Sequence, residues 1–430
     1  RMFGTLSDGE RRRVHLARQL KEPRTVVLLD EATTDLDLLT REALFSFLMT
    51  DTSELAPTVV NVTHVFDGLH AWPTHIVHMH KGALVRFHDV SKGDPPPWQT
   101  SGLFSMVAHW FQEVGGLADG ALGSAALPDF CTGAASEERP TGTAAVIRGL
   151  RFAYGHGEPL ALRIDSVEIP KGCRCLLLGP NGAGKSTLLS VLAGRRLVAN
   201  GDVHVLGLRA FHDHAQLDPQ VTILSSEWKR QVSEITAGKS LTFAELASSA
   251  MQESTTLGFD SALLAGRMVR LMQMLGVEPA KPLGSLSDGM LRRAQIALKL
   301  LRPAKVVLVD EVTADLDILA RQALLAFLRD EAGQGASVVY CTHILDGLDE
   351  WAGHVLRLRT KGRSGALLSV EKAVLKAPGG ALAAGASGLF GAARAMLAED
   401  GLEPEPGELL PADAAAAAAS GGQEAELPAG

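Results

Sequence analysis

The sequence predicts an α/β fold with a parallel sheet, and three stretches predict it. An apolar run, CRCLLLG, passes straight into the glycine loop GPNGAGKST, Gly179 to Thr187. A second run, VVLVDE, ends in two acids, Asp310 and Glu311, and much of what surrounds it occurs twice in the chain. A strand, a glycine loop and a helix in that order let backbone N–H groups turn inward as a nest for an anion. Four hydrophobic residues in a row suit a strand buried on both faces, as parallel strands are.

The elements follow in chain order. LSDGERRRVHLARQL, from Leu6, reads as a turn carrying Ser7 and Gly9 that feeds a helix with Arg11, Arg12 and Arg13 in its first turns. VVLLDE, from Val26, matches VVLVDE and ends in Asp30 and Glu31, the counterparts of Asp310 and Glu311. His75, His78 and His80 in THIVHMHKG read as a solvated polar strand face rather than a metal site, because the corresponding later positions are Arg357 and Arg359. Residues 91–142 hold DPPPW and many Gly, Ala and Ser residues, so they read as a linker with one short amphipathic helix. AAVIRGLRFAY and LALRIDSVEI alternate as strands do, and FHDHAQ, Phe211 to Gln216, reads as a loop. Beyond Ala377, EPEPGELLPADAAAAAASGGQ has too little apolar surface to offset the entropy of ordering and reads as a disordered tail.

The repeat fixes the domain organisation. LSDGERRRVHLARQL recurs as LSDGMLRRAQIALKL from Leu286, VVLLDEATTDLD as VVLVDEVTADLD from Val306, and VTHVFDGLHAW as CTHILDGLDEW from Cys341. The later copy also has strands and a glycine loop upstream, from about Thr143, whereas the earlier one has five residues before Leu6. The expectation is a first domain truncated at its N-terminus, with only its C-terminal part at 1–90, a linker at 91–142, a complete second domain at 143–376 and an acidic tail at 377–430.

Composition narrows the function. Of the net charge of −8, the tail carries most, with eight acids against one base, Arg394. The near-neutral body offers no electrostatic footprint for direct nucleic-acid binding. Aromatic residues make up 5%, too few for base-stacking platforms. No apolar run reaches the roughly 18 residues that a transmembrane helix needs. Cys131, Cys173, Cys175 and Cys341 form no disulfide framework, and Cys173 and Cys175 open an apolar strand with no matching ligand pair, so they read as core residues.

The chemistry concentrates in the second copy. Gly179, Pro180, Asn181, Gly182, Ala183, Gly184, Lys185, Ser186 and Thr187 match the phosphate-loop pattern at every fixed position. The glycines form the nest, Lys185 reaches the β and γ phosphates, and the Ser186 hydroxyl can take a Mg²⁺ position. Asp310, ending its strand, is placed to support the same ion, and Glu311 can act as general base on an attacking water.

Together these residues resemble the nucleotide-binding domains of ABC ATPases, in which the phosphate loop, a signature at Leu286 to Met290, the acidic strand end, a loop around Asp317 and a switch histidine, His343, stand in the family's order. The resemblance covers roughly 143–370 fully and 5–90 in part. It implies a P-loop NTPase fold, a RecA-like core with antiparallel β and helical subdomains, with ATP and Mg²⁺ bound and ATP hydrolysed. It implies a head-to-tail sandwich in which Ser7 and Gly9 close over the nucleotide on Lys185 while Ser287 and Gly289 face another loop, or else a second chain supplies the partner. His343 would contact the γ-phosphate and orient Glu311, as would His64 in the first copy. Tyr154 would stack on adenine, with plain packing the alternative. Both signatures depart from the family in having Asp8 and Asp288 where a glycine is usual, and Met290 replaces a polar residue. Ser226 or Glu227 stands where a metal-contacting glutamine is expected, which weakens the carry-over of transporter coupling. The repeated motifs are most similar to small soluble ABC ATPases of yeast and plants, one of them associated with the CCR-NOT machinery. That implies a cytoplasmic or nuclear protein serving a regulatory complex; the alternative is the ATPase subunit of a membrane transporter with separate spanning chains.

Overall fold

The computed structural model describes residues 8–21, 24–34, 36–50, 58–69, 72–90, 103–113, 142–155, 160–225, 241–313, 316–349, 351–358, 370–373, 391 and 393–394. The N-terminal unit runs α1 (Asp8–Leu20), β1 (Val26–Asp30), α2 (Leu38–Thr50), β2 (Thr58–Val62), β3 (His75–His80), β4 (Ala83–Asp89) and α3 (Leu103–Glu113). β1 and β2 pair in parallel, with Leu28 opposite Val60, and β3 and β4 form an antiparallel hairpin. The amphipathic helix expected within 91–142 is α3. Leu103, Met106, Val107 and Trp110 recur at helical spacing on its buried face and pack with Phe45, Leu48 and Leu69.

The hairpin corrects one expectation. His78 is buried, its ring stacked 6.4 Å from Trp110 and set edge-on 4.6 Å from Phe111, so it is no part of a solvated face. The pleat sends its side chain to the face opposite exposed Val77 and Met79, and α3 supplies the aromatic partners. Burial, followed by the Arg86 charge, holds the imidazole below its ordinary pKa, which favours the neutral ring an aromatic site accepts.

The C-terminal unit runs β5 (Thr143–Phe152), β6 (Leu162–Pro170), β7 (Arg174–Leu178), α4 (Lys185–Leu192), β8 (Asn200–Val205), β9 (Leu208–Arg209), α5 (His214–Leu217) and β10 (Val221–Leu224). It continues with α6 (Phe243–Thr256), α7 (Ser261–Leu275), α8 (Asp288–Lys299), β11 (Val306–Asp310), α9 (Ile318–Gly333), β12 (Ser337–Cys341), β13 (His354–Leu358) and β14 (Val370–Ala373). The short α5 starts within the stretch 211–216 that reads as a loop, so that expectation holds only for the residues before it.

A six-stranded sheet in the order β10-β11-β12-β7-β13-β14 is parallel except for β14. Every residue of β11 and β12 is buried, because both faces are covered. On one side lies the antiparallel sheet β6-β5-β8-β9 with α4, and on the other the layer of α6 to α9. The helix starts are capped by short polar side chains: Thr242 with Glu245 as a capping box at α6, Asp260 at α7, Ser287 at α8 and Asp317 at α9. Cys173 and Cys175 are core residues whose burial pushes their thiols up, the first to about 12. Among the described residues no helix is long and apolar enough to cross a membrane.

Trp351 anchors the helical layer. It is fully buried, its indole N–H donates to the Leu325 carbonyl at 3.0 Å, and its ring meets Tyr340 edge-on at 5.6 Å. Trp351→Ala should lower unfolding free energy by about 3–5 kcal/mol, measured by denaturant titration, since cavity and lost transfer energy add. A loss under about 1 kcal/mol would mean that the layer collapses into the gap.

Candidate functional site

The chemistry sits at the C-terminal edge of the parallel sheet, where strand ends deliver their following residues into one crevice. β7 ends at Leu178 and the loop 179–184 turns back into α4. Gly182 (φ 80°) and Gly184 (φ 87°) lie in the left-handed region that side chains disfavour, and these two turns aim the loop's N–H groups inward. Gly184 is also the residue before α4, so the positive end of that helix faces the same space.

Lys185, 6% exposed, bends back into the loop, where its Nζ donates to the carbonyls of Gly179 at 2.9 Å and Pro180 at 3.0 Å. The Glu311 carboxylate lies 3.9 Å from the same ammonium. The Ser186 hydroxyl donates to Asp310 at 3.1 Å, joining the loop to the end of β11. Thr187 bonds the hydroxyl of Tyr154, whose exposed ring also carries the Arg196 guanidinium at 5.4 Å. Tyr154 therefore stands at the rim, beside the loop.

Glu311 is held in an uncommon conformation. Its φ of 49° is left-handed for a residue with a side chain, and its N–H is fixed by the Cys341 carbonyl at 3.0 Å. Such strain persists where the surroundings over-determine it, and it tends to mark functional positions. Glu31, at the matching place after β1, has a φ of 45° and a bond from its N–H to the Val62 carbonyl.

Two neighbouring acids are driven in opposite directions. Burial raises Asp310 to about 6, only partly opposed by the Ser186 hydrogen bond. Burial also acts to raise Glu311, but the close approach of His343, with the Lys185 charge behind it, outweighs burial and holds Glu311 at about 2. His343 Nδ1 lies 3.4 Å from the Glu311 carboxylate. Its Nε2 donates to the main-chain carbonyl of Thr34 at 2.6 Å, so the N-terminal unit reaches into this site. In that unit His64 pairs with Glu31 at 2.8 Å, and Arg12 of α1 donates to the carbonyls of Glu31 and Ala32.

The structure thus brings Lys185, Ser186, Asp310, Glu311 and His343 together, with Gly179 to Gly184 around them and Tyr154 at the edge. Ser287 and Gly289 stand at the start of α8, where the Ser287 hydroxyl accepts from the Met290 N–H at 3.3 Å. Gly9 lies in the first turn of α1, whereas Ser7, Ser226 and Glu227 fall outside the described residues. Sequence reasoning missed Thr34. Its contribution is a carbonyl, which any residue could offer, and the only available signal was the recurrence of its loop, ATTDLD against VTADLD.

A family profile described as "ABC transporter" matches residues 162–314. ABC transporter I family member 20 of Arabidopsis thaliana is 38% identical over 245 residues, covering 55% of this chain and 73% of that protein. CCR4-associated factor 16 of Saccharomyces cerevisiae is 35% identical over 228 residues, covering 50% of this chain and 75% of that one. Among solved structures, one titled "RNase-L Inhibitor" aligns with a TM-score of 0.59 at 22% identity, over 86% of this chain and 65% of that one, a likeness of fold.

The raised pKa of Asp310 has a consequence for stability. Its folded value, about 6, exceeds the ordinary 3.8, so ionisation weakens the fold as pH rises through that interval. Asp310→Asn should therefore raise the unfolding free energy of the ligand-free chain above pH 7 by up to about 3 kcal/mol, at about 1.4 kcal/mol per pKa unit. The gain should shrink as pH falls from 6 towards 4. Denaturant titrations across that range check it, and a gain independent of pH would contradict it.

Proposed function

The chain belongs to the ABC transporter family of ATP-binding domains, and from that premise we propose that it binds ATP with Mg²⁺ and hydrolyses it as a soluble, cytoplasmic or nuclear protein. The observation that carries this reading is the meeting of Lys185, Ser186, Asp310, Glu311 and His343 from three separate strand ends, with Ser186 bonded to Asp310 and Glu311 in ion-pair reach of Lys185 and His343.

In this reading Lys185 leaves the two loop carbonyls for the β and γ phosphates, while N–H groups of the loop and of the start of α4 take other phosphate oxygens. The donor set fits Mg²⁺: the Ser186 hydroxyl and the Asp310 carboxylate are hard oxygens 3.1 Å apart, and a cation between them would offset the burial that holds Asp310 near 6. Bound there, Mg²⁺ would neutralise charge across the β and γ phosphates. Glu311 receives the proton of the attacking water. Its strained backbone fixes the carboxylate, and departure of Lys185 removes one of the positive charges that hold it near 2, so its basicity rises when substrate is present. His343 keeps Glu311 oriented through Nδ1, and its Nε2, which donates to the Thr34 carbonyl in the ligand-free chain, would exchange that acceptor to reach the γ-phosphate.

The two repeats are read as two nucleotide-binding domains, the first partial at 1–90 and the second at 143–376, facing head to tail. Ser7 and Gly9 then close over the nucleotide on Lys185, and Ser287 and Gly289 serve the other site. The bond from His343 to Thr34 supports pairing within the chain over pairing between two chains. The yeast relative is named for association with CCR4, and a regulatory or assembly complex is the partner class proposed here.

Two variants test the reading together. Glu311→Gln should keep ATP-induced thermal stabilisation yet release phosphate at least about a hundredfold more slowly in a single turnover, as loss of a general base does. Lys185→Ala should lose the stabilisation itself, worth about 2.7 kcal/mol when ligand is at 100 times its dissociation constant. Unchanged turnover in the first, or an unchanged shift in the second, would overturn these roles.

A further inference from the structure

Where the two units meet, four buried charged side chains are arranged reciprocally. Asp67, in the loop after β2, accepts from the Leu345 N–H at 2.6 Å; Asp346, in the loop after β12, accepts from the Phe66 N–H at 2.7 Å. Arg41 of α2 stands 3.7 Å from Asp67, and Arg321 of α9 stands 3.9 Å from Asp346. Each member and its counterpart lie 279 or 280 positions apart in sequence. Each aspartate therefore caps not its own loop but the loop of the opposite unit, two residues beyond that unit's histidine.

The consequence for His343 is specific. Its ring is held by Thr34 of the N-terminal unit, and the backbone just after it is held by Asp67 of the same unit. On the near side the Thr342 hydroxyl accepts from the Ile344 N–H at 3.0 Å, which turns the chain sharply at the histidine. Of these three restraints, two come from more than 270 residues away. We propose that Asp67 is a positioning residue for hydrolysis at the Lys185 site, acting through His343 from the opposite unit. This rests on the roles proposed above for Glu311 and His343.

Physical chemistry explains why acids and arginines, rather than apolar residues, fill this junction. Burial raises Asp67 well above the usual carboxylate range, and the charge of the neighbouring Asp346 adds to the rise. On both arginines the Nε and Nη1 atoms are buried without a hydrogen-bond partner. A buried ion cluster with donors unmet gains little over its cost of desolvation, yet it demands one geometry. Where the units meet, the cluster therefore fixes one arrangement of both histidine loops.

The experiment compares Asp67→Ala with Asp346→Ala in the full chain, with His343→Ala as reference, reading kcat and KM for Mg-ATP. Both aspartate variants remove one buried carboxylate from the same cluster, so a purely structural role would lower activity equally. Positioning predicts inequality: Asp67→Ala should lose about tenfold or more in kcat, with KM changed less than about threefold, as misplacement of a catalytic group does. Asp346→Ala, although only three residues from His343, should lose far less. In the His343→Ala background, Asp67→Ala should cost nothing further. If the alanine variants do not fold, Asp67→Asn and Asp346→Asn keep volume and should show the same order more weakly. Equal losses, or full additivity with His343→Ala, would overturn the proposal while leaving the hydrolytic reading intact. Undiminished kcat in His343→Ala would overturn both.

Discussion

The site depends on the insertion of β7 between β12 and β13. That strand carries no functional side chain, but its parallel ladders bring the phosphate loop alongside the end of β12, and through β12 alongside the end of β11. Once the register is fixed, Ser186 meets Asp310 and His343 meets Glu311 without further adjustment. A one-residue shift of register would carry Asp310 to the opposite face of the sheet and part it from Ser186. Packing and chemistry share one constraint here.

Burial acts to raise both Asp310 and Glu311, and their neighbours create the opposed acidities. Adjacent in sequence, they meet different neighbours, and Glu311 leaves the strand in a left-handed backbone conformation. One carboxyl stays beside a hydroxyl in the protein interior, and the other is turned towards an imidazole and an ammonium. Neighbours rather than residue type set the two affinities for a proton.

What was legible in the sequence was local. The loop from Gly179 to Thr187 announces itself by spacing, and VVLVDE by its uninterrupted apolar run, because loop conformation and two-sided burial act over a few residues. His78 was misread because alternation shows which residues share a strand face, whereas the aromatic cover comes from α3, more than twenty residues on. Asp67, Asp346, Arg41 and Arg321 stood in plain view as repeated residues, but their crossing over to opposite loops is a property of how two units pack. The resemblance named the family from motif order; it could not show that Thr34 offers a carbonyl to His343. Exposed apolar residues on β1 and β2 are equally instructive. Leu28 is 75% exposed, whereas its counterpart Leu308 is fully buried beneath the antiparallel sheet and α4.

The central claim is that the N-terminal unit completes the C-terminal site within a single chain, through contacts such as His343 to Thr34. Steady-state ATP hydrolysis per chain, measured at saturating Mg-ATP over a wide range of protein concentration, tests it most directly. Completion within the chain predicts a rate per chain that stays constant on dilution. A rate per chain that climbs with concentration would mean that a second chain completes the site, and would contradict the account.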